Sequence, residues 1–442
     1  LMPLSSYFLV AYHHDQAANR RAAFLYLLMA HISGLTILLG FGVLASFGGG
    51  FAFEAMRGAE LSAGWASVAF ALALFGFGMK AGLVPLHAWL PEAHPVAPSH
   101  ISALMSGVML KVAVYGFVRV VFDLIGQFHW QWGVIVIAIG SISALMGVLY
   151  ALMQSDLKRL LAYSSVENIG IIFIALGLAL LFLASGHSLL GIVAFIAALY
   201  HTINHALFKG LLFLGAGAIL HSANEHDLEK MGGLLRRMPW TGFAFLIGCL
   251  SISALPPFNG FVSEWLTFQA ALQAWQLDSG VLRSIIPVVA ATLALTGVLA
   301  AACFVRAFGV AFLGQARSRP IRRARAVPRS MRTAQALLAL LCLLFGILPT
   351  TIIEYLNAVP QLLFAQGLQQ ATAQGWLWLT PISPDTASYG APLVAIALSV
   401  AIVLGLWLLG RSTRRVLRPS NCLLYTSPSP RDRTRSRMPS SA

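Results

Sequence analysis

Charge is scarce in this chain. Lys, Arg, Asp and Glu make up only 10% of its 442 residues, where soluble globular domains carry about 25%. Hydrophobic residues reach 58%, and the mean hydropathy is +0.79. So little charge cannot cover a water-exposed surface, which excludes a soluble class and leaves a polytopic membrane protein. Cysteine is rare as well. Cys249, Cys303, Cys342 and Cys422 are scattered, with no CxxC and no Cys/His metal spacing. No iron–sulfur, haem or zinc site, and no redox cofactor, is therefore expected. Acidic residues are the scarcest charges, 15 against 29 Lys and Arg, for a formal net charge of +14.

What is abundant is long apolar sequence. A spanning helix needs about 20 mostly apolar residues. Such runs predict ten full spans, near 22–47, 65–89, 100–123, 132–153, 160–183, 189–220, 241–275, 285–313, 333–353 and 391–410, with 1–12 as the end of another. The chain opens on Leu1 with half a helix and no signal-peptide n-region, so an N-terminal part is expected to precede it.

In a soluble protein the net charge would suggest nucleic acid; its placement here says otherwise. With residues 13–21 in the cytoplasm, alternating spans put eighteen Lys and Arg on that side, including seven arginines in 314–332 and four in 411–418. Only Arg57 and Arg283 fall on the other face. That asymmetry is the positive-inside pattern. The lipid bilayer is the expected partner, and nucleic acid is not.

Two longer polar segments interrupt the spans. Residues 314–332 (GQARSRPIRRARAVPRSMR) read as a basic cytoplasmic loop, a topology signal in contact with lipid headgroups. Residues 354–390 contain Glu354 and Asp385 but no Lys or Arg. They fit a periplasmic loop between two C-terminal spans, so that 333–410 form one region. Residues 411–442 read as a basic disordered tail. Its end, 421–442, differs so much from the rest that it reads as a non-native extension.

Ionisable groups deep in the bilayer are expensive and mark ion pathways or buried pairs. Away from loops and tail the chain keeps Lys80, Lys111, Glu167, Lys209 and Glu264, joined by His31, His201 and His205. Arg119 and Arg306 lie nearer helix ends, where a long side chain reaches the interface. His201, His205 and Lys209 recur at i, i+4 and i+8, on one helix face. That stripe covers about 12 Å of a roughly 30 Å core, so water and other residues must complete any path. Pro85 and Pro91 follow Lys80, while Pro256, Pro257 and Gly260 precede Glu264. Two helices should therefore break beside an ionisable residue, as in transporters that line an ion site. Inserting a charged lysine at mid-membrane costs roughly 2.5–3.5 kcal/mol. Neutralising it at pH 7 costs roughly 4.6 kcal/mol. One neighbouring charge tips that balance, which suits a group that takes up and releases protons. Asp156, Lys158 and Arg159 read as a solvated loop cluster. His87, Glu92, His94 and His100 read as loop residues at the cytoplasmic end of the first break, with proton entry as their alternative role.

Several ordered blocks now become recognisable: KAGLVPLHAWLPEAHPVAPSHISALMSGVMLK, DLKRLLAYSSVENIG, HTINHALFKGLLFLGAGAI, EKMGGLLRRMP and ALPPFNGFVSEW. Together they resemble the antiporter-like proton-translocating subunits of respiratory complex I and group 4 hydrogenases. PEAHPVAPSHISALMSGVMLK and SVENIG are most similar to the hydrogenase-4 component B and formate hydrogenlyase branch. The resemblance implies an all-α fold of inverted repeats, 1–123 being the remainder of the first and 124–313 the second, each with a broken helix. It places proton transfer at Lys80, Lys111, His201, His205, Lys209 and Glu264, with Glu167 and His87 as secondary candidates. It implies a glutamate partner for Lys80 just before a segment like LMPLSSYFLV, where this chain begins. It further implies a multi-pass, non-catalytic transport subunit of an oxidoreductase complex in the bacterial inner membrane. Its partners would be sister membrane subunits and a peripheral hydrogenase or dehydrogenase arm. Three other readings remain open: a subunit of a multi-subunit sodium/proton antiporter, a quinone-reactive subunit and a structural scaffold.

Overall fold

The apolar runs become helices, and small residues decide how those helices meet. A computed structural model describes residues 2–383 and 388–416. Residues Leu1–Leu393 form one compact unit, and a second begins at Val394. The first unit opens with α1 (Met2–Val10), α2 (Ala17–Gly48), α3 (Ala63–Ala81), α4 (Leu90–Val96) and α5 (Ser99–Leu124). It continues through α6 (Trp130–Leu152), α7 (Leu157–Ala184) and α8 (Ser188–Ala223). After these come α9 (Pro239–Ile252), α10 (Asn259–Leu272), α11 (Gly280–Phe312), α12 (Arg329–Ile347) and the short α13 (Pro349–Leu356). The described residues of the second unit belong to α14 (Ala391–Val416). Among the described residues, nine helices are long and apolar enough to cross a membrane.

The expected span 241–275 is instead two shorter helices, α9 and α10. The expected 333–353 span also ends early. Leu348 leaves the helical region at φ −116° and ψ 52°, and Pro349 opens α13. Helix α14 runs on through Val416, so the basic tail expected from residue 411 begins as helix. Asp385, Cys422 and the segment 421–442 lie outside the described residues.

The expected break after Lys80 occurs, through a residue other than the prolines. Helix α3 ends at Gly82, whose φ of +86° is left-handed, and Gly82 and Leu83 both donate to Gly78 O at 2.9 Å. Pro85 falls inside the gap, while Pro91 sits in the first turn of α4, where proline is tolerated. Protein groups replace the water that a loop would normally need. Ser143 of α6 accepts from Val84 N at 3.0 Å, and Trp89 Nε1 donates to Met79 O at 2.9 Å. The second break covers 253–258, and Gly260 belongs to α10. A Cβ on Gly260 would sit 2.0 Å from Ser251 O, and one on Gly346 would sit 2.0 Å from Pro257 O. The interruption is thus clasped from both sides.

Helices α6 and α7 make the most extensive contact in the molecule. Lipid tails are as apolar as leucine, so helices in a membrane associate through close packing rather than through exclusion of water. Gly133, Gly140 and Gly147 on α6, and Gly170 and Gly177 on α7, recur every seven residues. A Cβ on Gly170 would lie 2.4 Å from Ala144 N, and one on Gly147 would lie 2.4 Å from Glu167 N. Backbone therefore touches backbone along this seam. Nearly all of α7 is buried within the bundle. Helix α8 packs on α7 and also contacts α5, α9, α10 and α12, which makes it the hub of the bundle.

Gly170→Ala should destabilise the protein by about 1–3 kcal/mol through overpacking, despite the better helix propensity of alanine. Gly42→Ala, where a new Cβ meets nothing within 4 Å, should be neutral or mildly stabilising. Thermal melting of the two variants in detergent checks the contrast; equal melting temperatures would remove the seam from this account.

Candidate functional site

Interrupting a helix beside a polar side chain creates a place where that side chain need not face lipid. Lys80 occupies the last turn of α3, the end of a helix that favours a cation. It is half-buried beside a cavity of 10 Å³ shared with Tyr26, Ser33 and Trp89, about enough for one water. No hydrogen-bond partner of Lys80 lies among the described residues.

Lys111 is placed by a local change of helix type. Residues Met105–Met109 form a π-helical turn that ends two residues before it, and such turns shift the phase of the residues that follow. Lys111 Nζ donates to Ser106 O at 2.5 Å and lies 2.8 Å from His205 Nδ1 on α8. One turn further along α8, Lys209 is fully buried, donating to Leu161 O at 2.9 Å and Ser164 Oγ at 2.5 Å.

His201 forms a third group. Its Nε2 lies 3.2 Å from Asn168 Oδ1, and its Nδ1 lies 3.0 Å from Ser263 Oγ. Asn168 Nδ2 is spent on Ser164 O, so its oxygen faces the imidazole and His201 Nε2 must donate. Ser263 has a single hydroxyl proton and two acceptors within reach, His201 Nδ1 and Gly260 O at 3.1 Å. With a neutral imidazole the hydroxyl donates to Nδ1. With an imidazolium it must turn to Gly260 O. Ser263 and Gly260 both lie in the first turn of α10, just beyond the second break.

Glu167 and Glu264 are buried, at 1% and 6% exposure. Among the described residues Glu167 Oε2 has no hydrogen-bond partner, nor do Asn204 Oδ1 and His205 Nε2. Glu264 points at α11, where its Oε2 would stand 3.7 Å from a Cβ on Gly297. The structure thus joins Lys111 to His205 directly and places Lys209 and His201 on neighbouring polar groups. It does not hydrogen-bond Lys80, Glu167 or Glu264 into that row. His31 is absent from it altogether, being exposed on α2 and folded back to Leu27 O at 2.8 Å.

Several expectations for charged residues need correction. Lys158 is not solvated but 4% exposed, donating to Pro95 O at 2.7 Å and Ala97 O at 2.5 Å at the end of α4. Asp156 caps α7 by accepting from Arg159 N at 2.9 Å, and Arg159 pairs with Glu92. His94 is buried against Leu90 O at 3.0 Å, whereas His100 is exposed. His87 lines an 820 Å³ cavity on the basic face together with Arg21, Glu92 and Tyr163. Arg119 is paired with Asp123 at 2.6 Å, and Arg306 covers Leu152 O and Gln154 O at the end of α6, so both are structural.

The residues missed in the sequence are Ser106, Ser164, Asn168, Asn204 and Ser263, the small polar groups between the titratable ones. SSVEN inside an apolar span was the visible signal for Ser164 and Asn168. Among the described residues, no cluster of three or more His, Cys, Asp or Glu offers a metal cage.

Interrupted helices and a buried ionisable row define a polytopic, all-α membrane protein of the antiporter-like class. The chain belongs to the family described as NADH:quinone oxidoreductase/Mrp antiporter, TM, which matches residues 1–292. It is 45% identical over 421 residues to hydrogenase-4 component B of Escherichia coli (strain K12), covering 95% of this chain and 62% of that protein. It is 34% identical over 327 residues to formate hydrogenlyase subunit 3 of the same organism, covering 74% and 51%. The chain therefore spans less than two thirds of the length of these relatives. A chain in the solved structure of the membrane-bound sulfane sulfur reductase, an archaeal respiratory membrane complex, superposes with a TM-score of 0.77 at 26% identity. That match covers 92% of this chain and 63% of the other. The resemblance drawn from the motifs holds.

Lys158→Met should destabilise the protein by about 1–3 kcal/mol, because two buried carbonyls lose their donor. Denaturant or thermal unfolding in detergent checks this, and a variant as stable as the parent would return Lys158 to a solvated role.

Proposed function

We propose that the chain moves protons across the bacterial inner membrane as a transport subunit of a hydrogenase-4 or formate hydrogenlyase type redox complex. The observation that carries the reading is the 2.8 Å contact between Lys111 Nζ and His205 Nδ1, two titratable groups from different helices meeting inside an apolar bundle. Neither can be a surface charge, and each changes the other's affinity for a proton. Lys111, His205, Lys209 and His201 form the core of the row. Lys80 and Glu264 serve it at the two helix breaks, with Glu167 as a further acid and His87 at the basic-face cavity. Bridging waters at His205 Nε2, Asn204 Oδ1 and Glu167 Oε2 would close the gaps, since buried polar atoms are satisfied by water where protein does not reach them. Redox chemistry belongs to partner subunits in a peripheral arm, whose state biases the row electrostatically. The division into inverted repeats at 123/124 is part of the same reading, each half supplying one break and one adjacent ionisable residue.

A second reading, a subunit of a multi-subunit sodium/proton antiporter, is supported by the Mrp antiporter half of the family's description. Vesicles distinguish the two. Acidification driven by electron donor and indifferent to sodium favours the redox complex, whereas sodium-driven pH change without a donor favours the antiporter.

Lys111→Ala or Lys209→Ala in the assembled complex should reduce coupled proton transfer by about 100-fold or more, with assembly intact on native gels. Full proton movement by either assembled variant would reject the role assigned to the row.

A further inference from the structure

Outside the buried row, a groove runs between α9 and α12 on the outer side of the bundle. Its volume is 460 Å³. Arg329, Arg332 and Trp240 stand at the end nearest the basic loops, and Phe243, Ile247 and Leu343 line the rest. Trp240 and Phe243 are 68% and 61% exposed, so this wall faces outward from the bundle.

The two arginines line the groove with nothing to neutralise them among the described residues. Neither guanidinium makes an ion pair or side-chain hydrogen bond with a described residue, and Arg332 Nε is buried without a partner. From Met231 to Ile353 the only acids are Glu264, which is buried against α11, and Asp278, which sits at the opposite end of that helix. Both arginines also lie in the first turn of α12, where the helix dipole repels cations. An anion relieves both penalties. The basic loop that precedes them is held in place rather than free: Ile321, Ala324 and Val327 are buried at three-residue spacing. Ser222 Oγ accepts from Arg325 N at 2.8 Å and donates to Arg325 O at 2.7 Å. Arg329 and Arg332 are therefore presented at a fixed height.

We propose that this groove binds one anionic phospholipid, its phosphate between Arg329 and Arg332 and one acyl chain along Phe243, Ile247 and Leu343. Dimensions agree. From Arg329 to Leu343 the helix runs roughly 20 Å, which is a headgroup plus the roughly 15 Å of one hydrocarbon leaflet. Trp240 sits at the level where aromatic side chains favour the interface.

The test is native mass spectrometry of the full chain in detergent with added phosphatidylglycerol or phosphatidylcholine. The parent should retain phosphatidylglycerol preferentially. The R329Q/R332Q variant should lose about 30-fold of that preference, as two guanidiniums near an anionic headgroup supply. A336W keeps both charges but fills the groove wall, and should lose the lipid as well. Neither inorganic phosphate nor glycerol 3-phosphate should displace it, because the acyl chain is part of the site. Equal retention by parent and double variant, retention by A336W, or displacement by free phosphate would each overturn the proposal. Size-exclusion profiles confirm folding. If R329Q/R332Q fails to fold, A336W with the free-phosphate arm decides alone.

Discussion

Every backbone polar group in a bilayer must find its partner inside the protein, and this constraint governs the rest of the structure. An interrupted helix frees backbone groups that water would satisfy in a soluble protein. Here a serine on α6, an indole on α4's threshold and a lysine on α7 supply the partners around the first interruption. At the second, glycines let α12 and the end of α9 press against the opened chain. The breaks are therefore built from the packing of several helices, and their prolines only make helix continuation difficult.

The same constraint shapes the ionisable row. Lys111 and His205 contact each other because a π-helical turn and the hub helix bring them together. Lys209 and His201 are instead held by serine and asparagine side chains, neutral groups that do not fix a charge state. Ser263 has one hydroxyl proton and two acceptors within reach, His201 Nδ1 and Gly260 O. A row of charged residues each locked to a counter-ion would be stable and inert. Neutral, rotatable neighbours suit the proton transfer proposed for the row.

Much of this was legible in the sequence, and the failures have physical causes. Most spans, both breaks and the His201/His205/Lys209 face followed from hydropathy, proline and glycine, and helical period, all properties of local sequence. Lys158 was misread because a lysine beside an aspartate at a helix start looks solvated until another helix end arrives to claim it. His31 was misread for the opposite reason. Its span is apolar all round, so composition could not say which side faces the bundle. Ser263 and Asn168 escaped notice because small polar residues are cheap in a membrane helix and carry no charge to mark them.

By itself the sequence determined that the chain crosses a membrane many times, which loops carry the positive charge, and which titratable residues lie deep in apolar sequence. These follow from transfer free energies that depend on local composition. Tertiary structure alone decided which of those residues meet, which face away and which small side chains connect them. That depends on the rotation of each helix about its axis, set here by glycine seams and π-helical turns between segments far apart in the chain.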